Sequence, residues 1–267
     1  MGSPGVGMDT PACRLFDATT EQWSDLPDMI IGRGNWPGIV AVRRTTGHRI
    51  YVIGGRRENR RYDCCEFIDV EEKNIHWTLL EAKMTFSRSS TCAILLDHNT
   101  VVICGGFADD GPLASCESLD LTTHTFSPFP DMLEPRAGHA AVLYNETIVV
   151  LGGYGPMKTC EQFDPAVCKW TPFAPLRKGR SYIGAAVIEN NIYVVGELDV
   201  LDIYDGSAWS FVTRVPCART HASSVALGGK LVVLSETDDI DVFDTATNTW
   251  SSLPNGIRYR CISAVSF

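Results

Sequence analysis

Arginine is the residue type whose positions in this sequence most suggest a binding site. Four arginines, Arg56, Arg57, Arg60 and Arg61, crowd the short segment that follows an apolar run ending in two glycines. A second set recurs at intervals along the chain and comprises Arg88, Arg136, Arg180, Arg219 and Arg258. Because a planar guanidinium group binds a carboxylate through two parallel hydrogen bonds, these positions predict a surface that captures carboxylates.

Other residue types that perform chemistry do not form a recognisable site. The six histidines lack the His-x-His and His-Glu-x-x-His spacings of metal ligands, and the sequence has neither a Gly-x-Ser-x-Gly elbow nor a phosphate-binding loop. The ten cysteines include no Cys-x-x-Cys pair, which favours reduced thiols packed as small apolar side chains. We therefore predict a chain that is not an enzyme, with no catalytic residue, no metal and no cofactor.

Composition narrows the class of protein further. Apolar residues make up 45% of the 267 residues, which is enough for a substantial folded core. The net charge of -9 argues against general binding to nucleic acid or to an anionic membrane surface. No apolar run approaches the length of a membrane span, and the N-terminus lacks the features of a signal peptide. These properties predict a cytoplasmic protein.

The sequence repeats itself about every 45 residues, a period typical of propeller repeats. Each unit contains a strand of small residues, then a continuous apolar strand such as "IVVLGG", then a segment such as "CEQFD", and finally an aromatic residue. Short turns rich in Asn, Asp and Thr separate these segments. Four antiparallel strands repeated in this way predict the blades of a β-propeller.

The repeat pattern resembles that of the kelch family. The carriers of this resemblance are the double glycine after an apolar strand, the Glu-x-x-Asp, the tryptophan and the arginine that opens the first strand. The resemblance implies an all-β, six-bladed kelch-type propeller. The predicted boundaries are residues 31–84 for blade 1, 85–132 for blade 2, 133–176 for blade 3, 177–216 for blade 4 and 217–255 for blade 5, with 8–29 and 256–267 as two parts of blade 6.

The sixth blade is expected to close the ring from both chain ends. The N-terminal segment supplies a third and a fourth strand, and the C-terminal segment supplies a first strand. A complete second strand is missing from this composite blade, so we expect an incomplete closing blade or a chain that is a fragment of a longer protein.

One face of the propeller is expected to carry the binding residues. The first strand of each blade starts on the same face as the loop between its second and third strands, which places both arginine sets there. Exposed aromatic anchors are predicted on this face at Trp36, Phe107 and Tyr154, and Arg33 lies close to the corresponding position of blade 1. Acidic loop residues share it and comprise Asp109, Asp110, Glu197, Asp199, Glu236, Asp238 and Asp239.

The sequence thus predicts a non-catalytic scaffold that binds an acidic or mixed-charge peptide of a partner protein over the channel mouth. The kelch resemblance implies service as a ubiquitin-ligase substrate receptor or binding to actin. An alternative reading is a kelch-like enzyme that isomerises a sugar or performs a metal-assisted reaction at the same face, with Glu134, His139 or Glu236 as acid and base. A structural reading of the arginines, as pairs within the propeller, also remains open.

Overall fold

The fold consists of antiparallel β-sheets throughout the part of the chain described by the computed structural model, which covers residues 11–17, 20, 22–33, 36–71, 74–216, 221–234 and 239–254. An N-terminal hairpin of β1 (Cys13–Asp17) and β2 (Gln22–Leu26) comes first. Blade 1 follows, with β3 (Gly38–Arg44), β4 (Gly47–Ile53), β7 (Cys64–Asp69) and β8 (Trp77–Lys83). Its second and third strands are joined by a short hairpin of β5 (Arg56–Arg57) and β6 (Arg60–Arg61).

The remaining blades have the same strand order. Blade 2 contains β9 (Cys92–Leu95), β10 (Thr100–Cys104), β13 (Cys116–Asp120) and β14 (Thr125–Phe129), with a hairpin of β11 (Phe107–Ala108) and β12 (Gly111–Pro112) in the same connection. Blade 3 contains β15 (Ala140–Tyr144), β16 (Thr147–Leu151), β17 (Cys160–Asp164) and β18 (Lys169–Phe173). Blade 4 contains β19 (Gly184–Ile188), β20 (Asn191–Gly196), β21 (Leu198–Tyr204) and β22 (Trp209–Arg214). Blade 5 contains β23 (Ser223–Leu227), β24 (Lys230–Leu234), β25 (Asp239–Asp244) and β26 (Thr249–Pro254).

The four-stranded blades of the described chain number five, so the prediction of six was wrong in its count. The two-stranded β1–β2 hairpin packs on blade 1, where Cys13 and Met29 contact the cluster that contains Ile50 and Trp77. The C-terminal segment predicted to complete a sixth blade, residues 256–267, lies outside the described residues. The described residues include no helix long and apolar enough to cross a membrane.

The hydrophobic core lies between neighbouring blades. In blades 1 to 4 the apolar residues of the second strand are covered on both faces, which explains their unbroken apolar sequence; residues 148–151 of β16, for example, are all 0% exposed. Tryptophans of the fourth strands fasten adjacent blades, because the indole N–H of Trp170 donates to the carbonyl of Pro130, 2.8 Å away, in the segment that leaves blade 2. Trp77 and Trp209 make the corresponding bonds to Pro27 and Ala174.

The repeated aspartate forms a turn at the end of the third strand. The Asp120 carboxylate accepts the backbone N–H groups of Thr122 and Thr123 at 2.8 and 2.7 Å. Such a turn is the usual role of a short acidic side chain between two strands. Asp205 makes the same contacts, and the hydrogen bonds from the Ala208 and Ser207 backbone and the Ser207 hydroxyl lower its carboxyl pKa to about 2. These aspartates thus shape the end of the blade opposite the double glycines.

Candidate functional site: the channel mouth

The recurring arginines are buried, which corrects their predicted role in binding a partner. Arg88, Arg136 and Arg180 are each 0% exposed, and Arg33, the corresponding residue of blade 1, is 1% exposed. A side chain with no exposed surface cannot contact a second protein, so these four arginines are structural and do not form a partner-binding surface. Arg219 and Arg258 lie outside the described residues.

Each buried guanidinium is bound by a carboxylate of its own blade. Arg136 pairs with Glu161 of β17 at 2.5 Å and also donates to the carbonyls of Gly152 and Thr159 at 2.7 and 2.9 Å. Arg88 pairs with Glu117, and Arg33 with Glu66, both at 2.7 Å. In blade 4 the carboxylate is Asp202, which binds both Arg180 and Arg177.

The main chain of the same arginines joins the preceding blade. The carbonyl of Arg88 accepts the N–H of Gly55 at 2.8 Å, and the carbonyl of Arg136 accepts the N–H of Gly106 at 2.9 Å. The carbonyl of Arg180 and the N–H of Gly153 form the third such bond, at 3.0 Å. Side chain and backbone of one arginine therefore hold two successive blades together.

The opening of the central channel is defined by five corresponding residues, one from each blade. Trp36, Ser90, Gly138, Tyr182 and His221 all have φ between 48° and 59°, and we call the opening that they bound the channel mouth. Backbone hydrogen bonds join four of them in sequence: the Ser90 N–H donates to Trp36 at 2.7 Å, that of Gly138 to Ser90 at 2.8 Å, and that of Tyr182 to Gly138 at 2.5 Å.

Three aromatic side chains of the channel mouth contact one another across the axis. The ring centroids of Trp36 and His221 are 4.9 Å apart in a stacked arrangement, and those of Tyr182 and His221 are 4.6 Å apart, edge to face. Trp36 and Tyr182 are separated by 5.3 Å. Gly138 leaves room for this cluster, because an added Cβ would lie 2.9 Å from the Tyr182 ring.

A second group of residues surrounds the channel mouth and comprises the residues that follow the double glycines. These are Arg56 in blade 1, Phe107 in blade 2 and Tyr154 in blade 3. The rings of Phe107 and Tyr154 are 5.3 Å apart, and Tyr154 is 53% exposed. The predicted aromatic residues thus fall into two neighbouring groups, Phe107 with Tyr154 and Trp36 with two rings that the sequence analysis had not selected.

Electrostatics connect the two groups. Burial raises the pKa of the Tyr182 hydroxyl, the hydrogen bond with Ser90 and the positive charge of Arg56 oppose that rise, and Tyr154 adds to it. Arg56 and Tyr154 therefore act on the same hydroxyl group. Aromatic faces, a hydroxyl and a cation together form a surface that can bind an apolar and acidic segment.

The four-arginine segment forms the β5–β6 hairpin beside the channel mouth. Arg61 binds Asp109 of the neighbouring blade at 2.6 Å, and Arg56 donates to the Glu58 carbonyl at 2.5 Å. Arg57 and Arg60 are exposed. The hairpin thus carries two unburied positive charges on this face.

The channel behind the mouth is a cavity of about 340 Å³ lined by the innermost strands of the five blades. Its wall includes His139, whose pKa burial lowers to about 3, and Cys92, whose thiol pKa burial raises to about 12. The imidazole is therefore neutral and the thiol protonated at physiological pH. Glu134 instead binds the Thr159 hydroxyl at 2.5 Å, and Glu236 lies outside the described residues.

Three residues of the channel mouth were missed by reasoning from the sequence alone. Ser90, Tyr182 and His221 each lie two residues after a recurring arginine, a spacing that was available in the sequence and would have found the channel mouth. In the described part of the chain, no three His, Cys, Asp or Glu residues are grouped so that they could hold a metal ion. The described cysteines are all free, and Cys65, Cys104 and Cys116 are buried among them.

Blades that interlock through arginine, double glycine and tryptophan define the kelch type of β-propeller. The family model described as the KLHDC2/KLHL20/DRC7 Kelch-repeats domain matches residues 6–196. The chain belongs to the kelch-repeat family.

Similar proteins agree with this assignment. "Kelch-like protein 38" of Danio rerio is 30% identical over 119 residues, which are 42% of this chain and 20% of that protein. "Spermatocyte protein spe-26" of Caenorhabditis elegans is 28% identical over 149 residues, covering 53% of this chain and 25% of that protein. The aligned regions thus span a quarter or less of these relatives. The solved structure of YjhT has the same fold, with a TM-score of 0.78, 13% identity and 93% coverage of both chains.

Proposed function

We propose that this propeller binds an acidic or mixed-charge peptide segment of a partner protein at the channel mouth and performs no catalysis. The observation that carries the proposal is the juxtaposition of exposed Tyr154, its neighbour Phe107 and the Arg56 guanidinium around one opening. Aromatic residues and arginines are the side chains that most often dominate the energy of protein interfaces. The kelch-like relatives support an interaction scaffold in general terms.

The partner contacts lie close to the propeller axis, and this bears on the cellular role. A short peptide can cover the channel mouth, whereas a filament would need a broad surface that extends over several blades. We therefore favour a ubiquitin-ligase substrate receptor over an actin binder, both roles being taken from the kelch resemblance. The free and buried thiols are consistent with a reducing compartment, and we place the protein in the cytoplasm.

Selection from a random peptide display library tests this proposal. We expect the protein to enrich peptides that contain aspartate or glutamate beside an apolar residue, and Tyr154→Ala to reduce their affinity about tenfold or more. Phe211→Ala is a matched control, because Phe211 is an aromatic residue of similar exposure, 47%, on the outer strand β22.

The proposal fails if the two variants bind the selected peptides equally well. Equal affinity would mean that the selected peptides do not use the channel mouth. Failure to enrich any acidic sequence would equally contradict the expected chemistry of the partner.

A reaction on a sugar remains the second candidate, and two observations count against the residues first considered for it. His139 is buried and held neutral in the channel wall, while the Glu134 carboxylate binds Thr159 and does not line the channel. Incubation of the purified protein with a panel of reducing sugars, followed by NMR of their anomeric protons, checks this. Accelerated exchange of the anomers would favour the enzyme.

A further inference from the structure

The β5–β6 hairpin places like charges directly opposite one another. Arg56 pairs with Arg61, and Arg57 pairs with Arg60, in antiparallel register. Directly opposed residues in an antiparallel pair have Cβ atoms only about 5 Å apart, and like charges in such positions destabilise the strand pair. Two such pairs in one short hairpin, in a chain of net charge -9, call for an explanation outside the hairpin itself.

The pair next to the channel mouth is compensated within the protein. Arg61 forms its ion pair with Asp109 of the blade 2 hairpin, and Arg56 donates to the Glu58 carbonyl. Both guanidinium groups of this pair thus have an acceptor, and repulsion between them is reduced.

The pair at the tip of the hairpin is not compensated in this way. Within the described chain, the Arg57 side chain has neither a hydrogen bond nor an ion pair, and the Arg60 guanidinium lies 5.4 Å above the ring of Tyr62. The nearest carboxylate in sequence, that of Glu58, forms no ion pair with any described residue, although Glu58 occupies the turn between the two arginines. Two exposed arginines therefore occupy directly opposed positions, and neither forms an ion pair with a described carboxylate.

The corresponding hairpin of blade 2 shows that the fold does not need arginine here. Its cross-strand pairs are Phe107 with Pro112 and Ala108 with Gly111, so neutral and small residues occupy the same positions. The arginines of blade 1 are therefore not required by the geometry of the connection. The opposed like charges cost stability and do not serve the connection, which points to a ligand.

We propose that Arg57 and Arg60 together bind a phosphate group carried by a serine or threonine of the partner's peptide segment, an inference that rests on the proposed function. A phosphate ester carries a charge of about -1.5 to -2 and three acceptor oxygens, so one group can neutralise both arginines and accept hydrogen bonds from both forks. A peptide is favoured over nucleic acid because the acidic chain as a whole repels extended polyanions.

Titration with inorganic phosphate tests the site without any peptide. Arginine Nε–Hε resonances are followed by NMR while phosphate replaces chloride at constant ionic strength. We expect saturable shifts at Arg57 and Arg60 in the wild type, and an affinity on the order of tenfold lower in the double variant Arg57→Gln/Arg60→Gln, read there from the backbone amide resonances of β5 and β6. Arg43→Gln is the matched control, because Arg43 is an exposed arginine at the other end of blade 1.

Thermal unfolding distinguishes a ligand site from a structural role. Because the substitutions relieve repulsion, the double variant should unfold at the same temperature as the wild type or higher in chloride, and should lose the stabilisation by phosphate. Equal phosphate shifts at Arg43 and Arg57, or a double variant that unfolds at a lower temperature in chloride, would overturn the proposal.

Peptides separate this proposal from the proposed function. Libraries with a fixed central phosphoserine, serine or glutamate are compared by fluorescence polarisation, and we expect phosphoserine peptides to bind about tenfold more tightly than glutamate peptides. Equal affinities overturn the phosphate assignment and leave acidic-peptide binding intact. Loss of binding to all three libraries overturns the proposed function as well, and tighter binding of single-stranded DNA would overturn the assignment to a peptide.

Discussion

Each buried arginine satisfies several acceptors at once, and this makes it hard to replace. The Arg136 guanidinium reaches two backbone carbonyls and Glu161, while the other oxygen of Glu161 accepts the N–H of Leu133 at 2.5 Å. A charge in the interior is tolerated only when partners of this kind replace water. The ion pair is therefore important mainly because the loss of one partner would leave the other charge buried without its counter-charge.

Breaking one buried pair is expected to destabilise the fold strongly. Glu117→Gln leaves the Arg88 charge buried without its only carboxylate partner among the described residues, which should lower the free energy of unfolding by about 3–5 kcal/mol. Arg214→Gln removes a surface pair with Asp199, in which the arginine side chain is 74% exposed, and should cost less than about 1 kcal/mol. Urea denaturation measures both, and similar losses for the two variants would contradict this account.

The buried His139 should make the fold sensitive to acid. Its pKa is lowered to about 3 in the folded protein, whereas an unfolded histidine titrates near 6.5, so the unfolded chain binds the extra proton in the interval between them. Stability contributed by the neutral imidazole is therefore complete above about pH 6.5 and falls by about 1 kcal/mol per pH unit as the pH drops toward 3.

Substitution of this histidine should remove that part of the pH dependence. His139→Thr introduces the residue found at the corresponding position of blade 2, where the Thr91 hydroxyl binds the Cys104 carbonyl at 2.9 Å. Chemical denaturation of both proteins between pH 7 and pH 4 should give a flatter profile for the variant. If the stability of the two proteins changed equally with pH, titratable groups other than His139 would be responsible for the loss of stability in acid.

Among the structural elements, the end of the second strand has the strictest requirement. Gly152 has a φ of 57°, and an added Cβ would lie 2.6 Å from the carbonyl oxygen of Arg180 in the next blade. Backbone cannot retreat there without breaking the bond between Arg180 and Gly153. The double glycine thus serves close packing between blades as well as the turn itself.

A pair of glycine substitutions separates these two effects. Gly228→Ala occupies open space at a φ of 55°, so it should cost only the backbone penalty of about 1–2 kcal/mol. Gly152→Ala adds the collision with Arg180 and should cost clearly more. Urea denaturation provides the comparison, and equal losses would mean that the contact between blades relaxes easily.

The elements could be predicted from the sequence because each depends on local patterns. Continuous apolar runs, double glycines and turn-forming aspartates identify second strands, blade junctions and turns directly. The role of the arginines was left open between binding and structure, since spacing places a residue on a face but does not say which way its side chain points. A signal did exist: Glu66, Glu117 and Glu161 each follow the cysteine of a third strand directly, and each is the partner of one buried arginine.

The molecule as a whole is joined across its axis as well as around it. Trp36 of blade 1 contacts Tyr182 of blade 4 and His221 of blade 5, although these residues are distant in the sequence. Which blades meet across the axis depends on how the blades are arranged around it, and the sequence alone does not give that arrangement. The composite sixth blade was likewise predicted from repeat counting, yet the described chain contains only its N-terminal hairpin.

Removal of the Trp36 ring should loosen blades that are far apart in the chain. Each aromatic pair contributes about 0.5–1.5 kcal/mol beyond the area that it buries, so Trp36→Ala should lower stability by about 2 kcal/mol. Amide hydrogen exchange should become faster in β19 and β23 as well as in β3. Tyr154→Ala, on the same face but exposed, is the control, and faster exchange confined to β3 would contradict the cross-axis role.

The carbonyls of Arg88, Arg136 and Arg180 each receive the N–H of the preceding double glycine, and every amino acid possesses a carbonyl of this kind. Two neighbouring blades are therefore joined here by a backbone hydrogen bond that does not depend on the identity of either side chain. A gene segment copied in frame could therefore enter the ring and find its attachment already present on both sides. Insertion or deletion of one repeat, by evolution or by design, should therefore require no compensating side-chain substitution at this backbone bond in the remaining repeats.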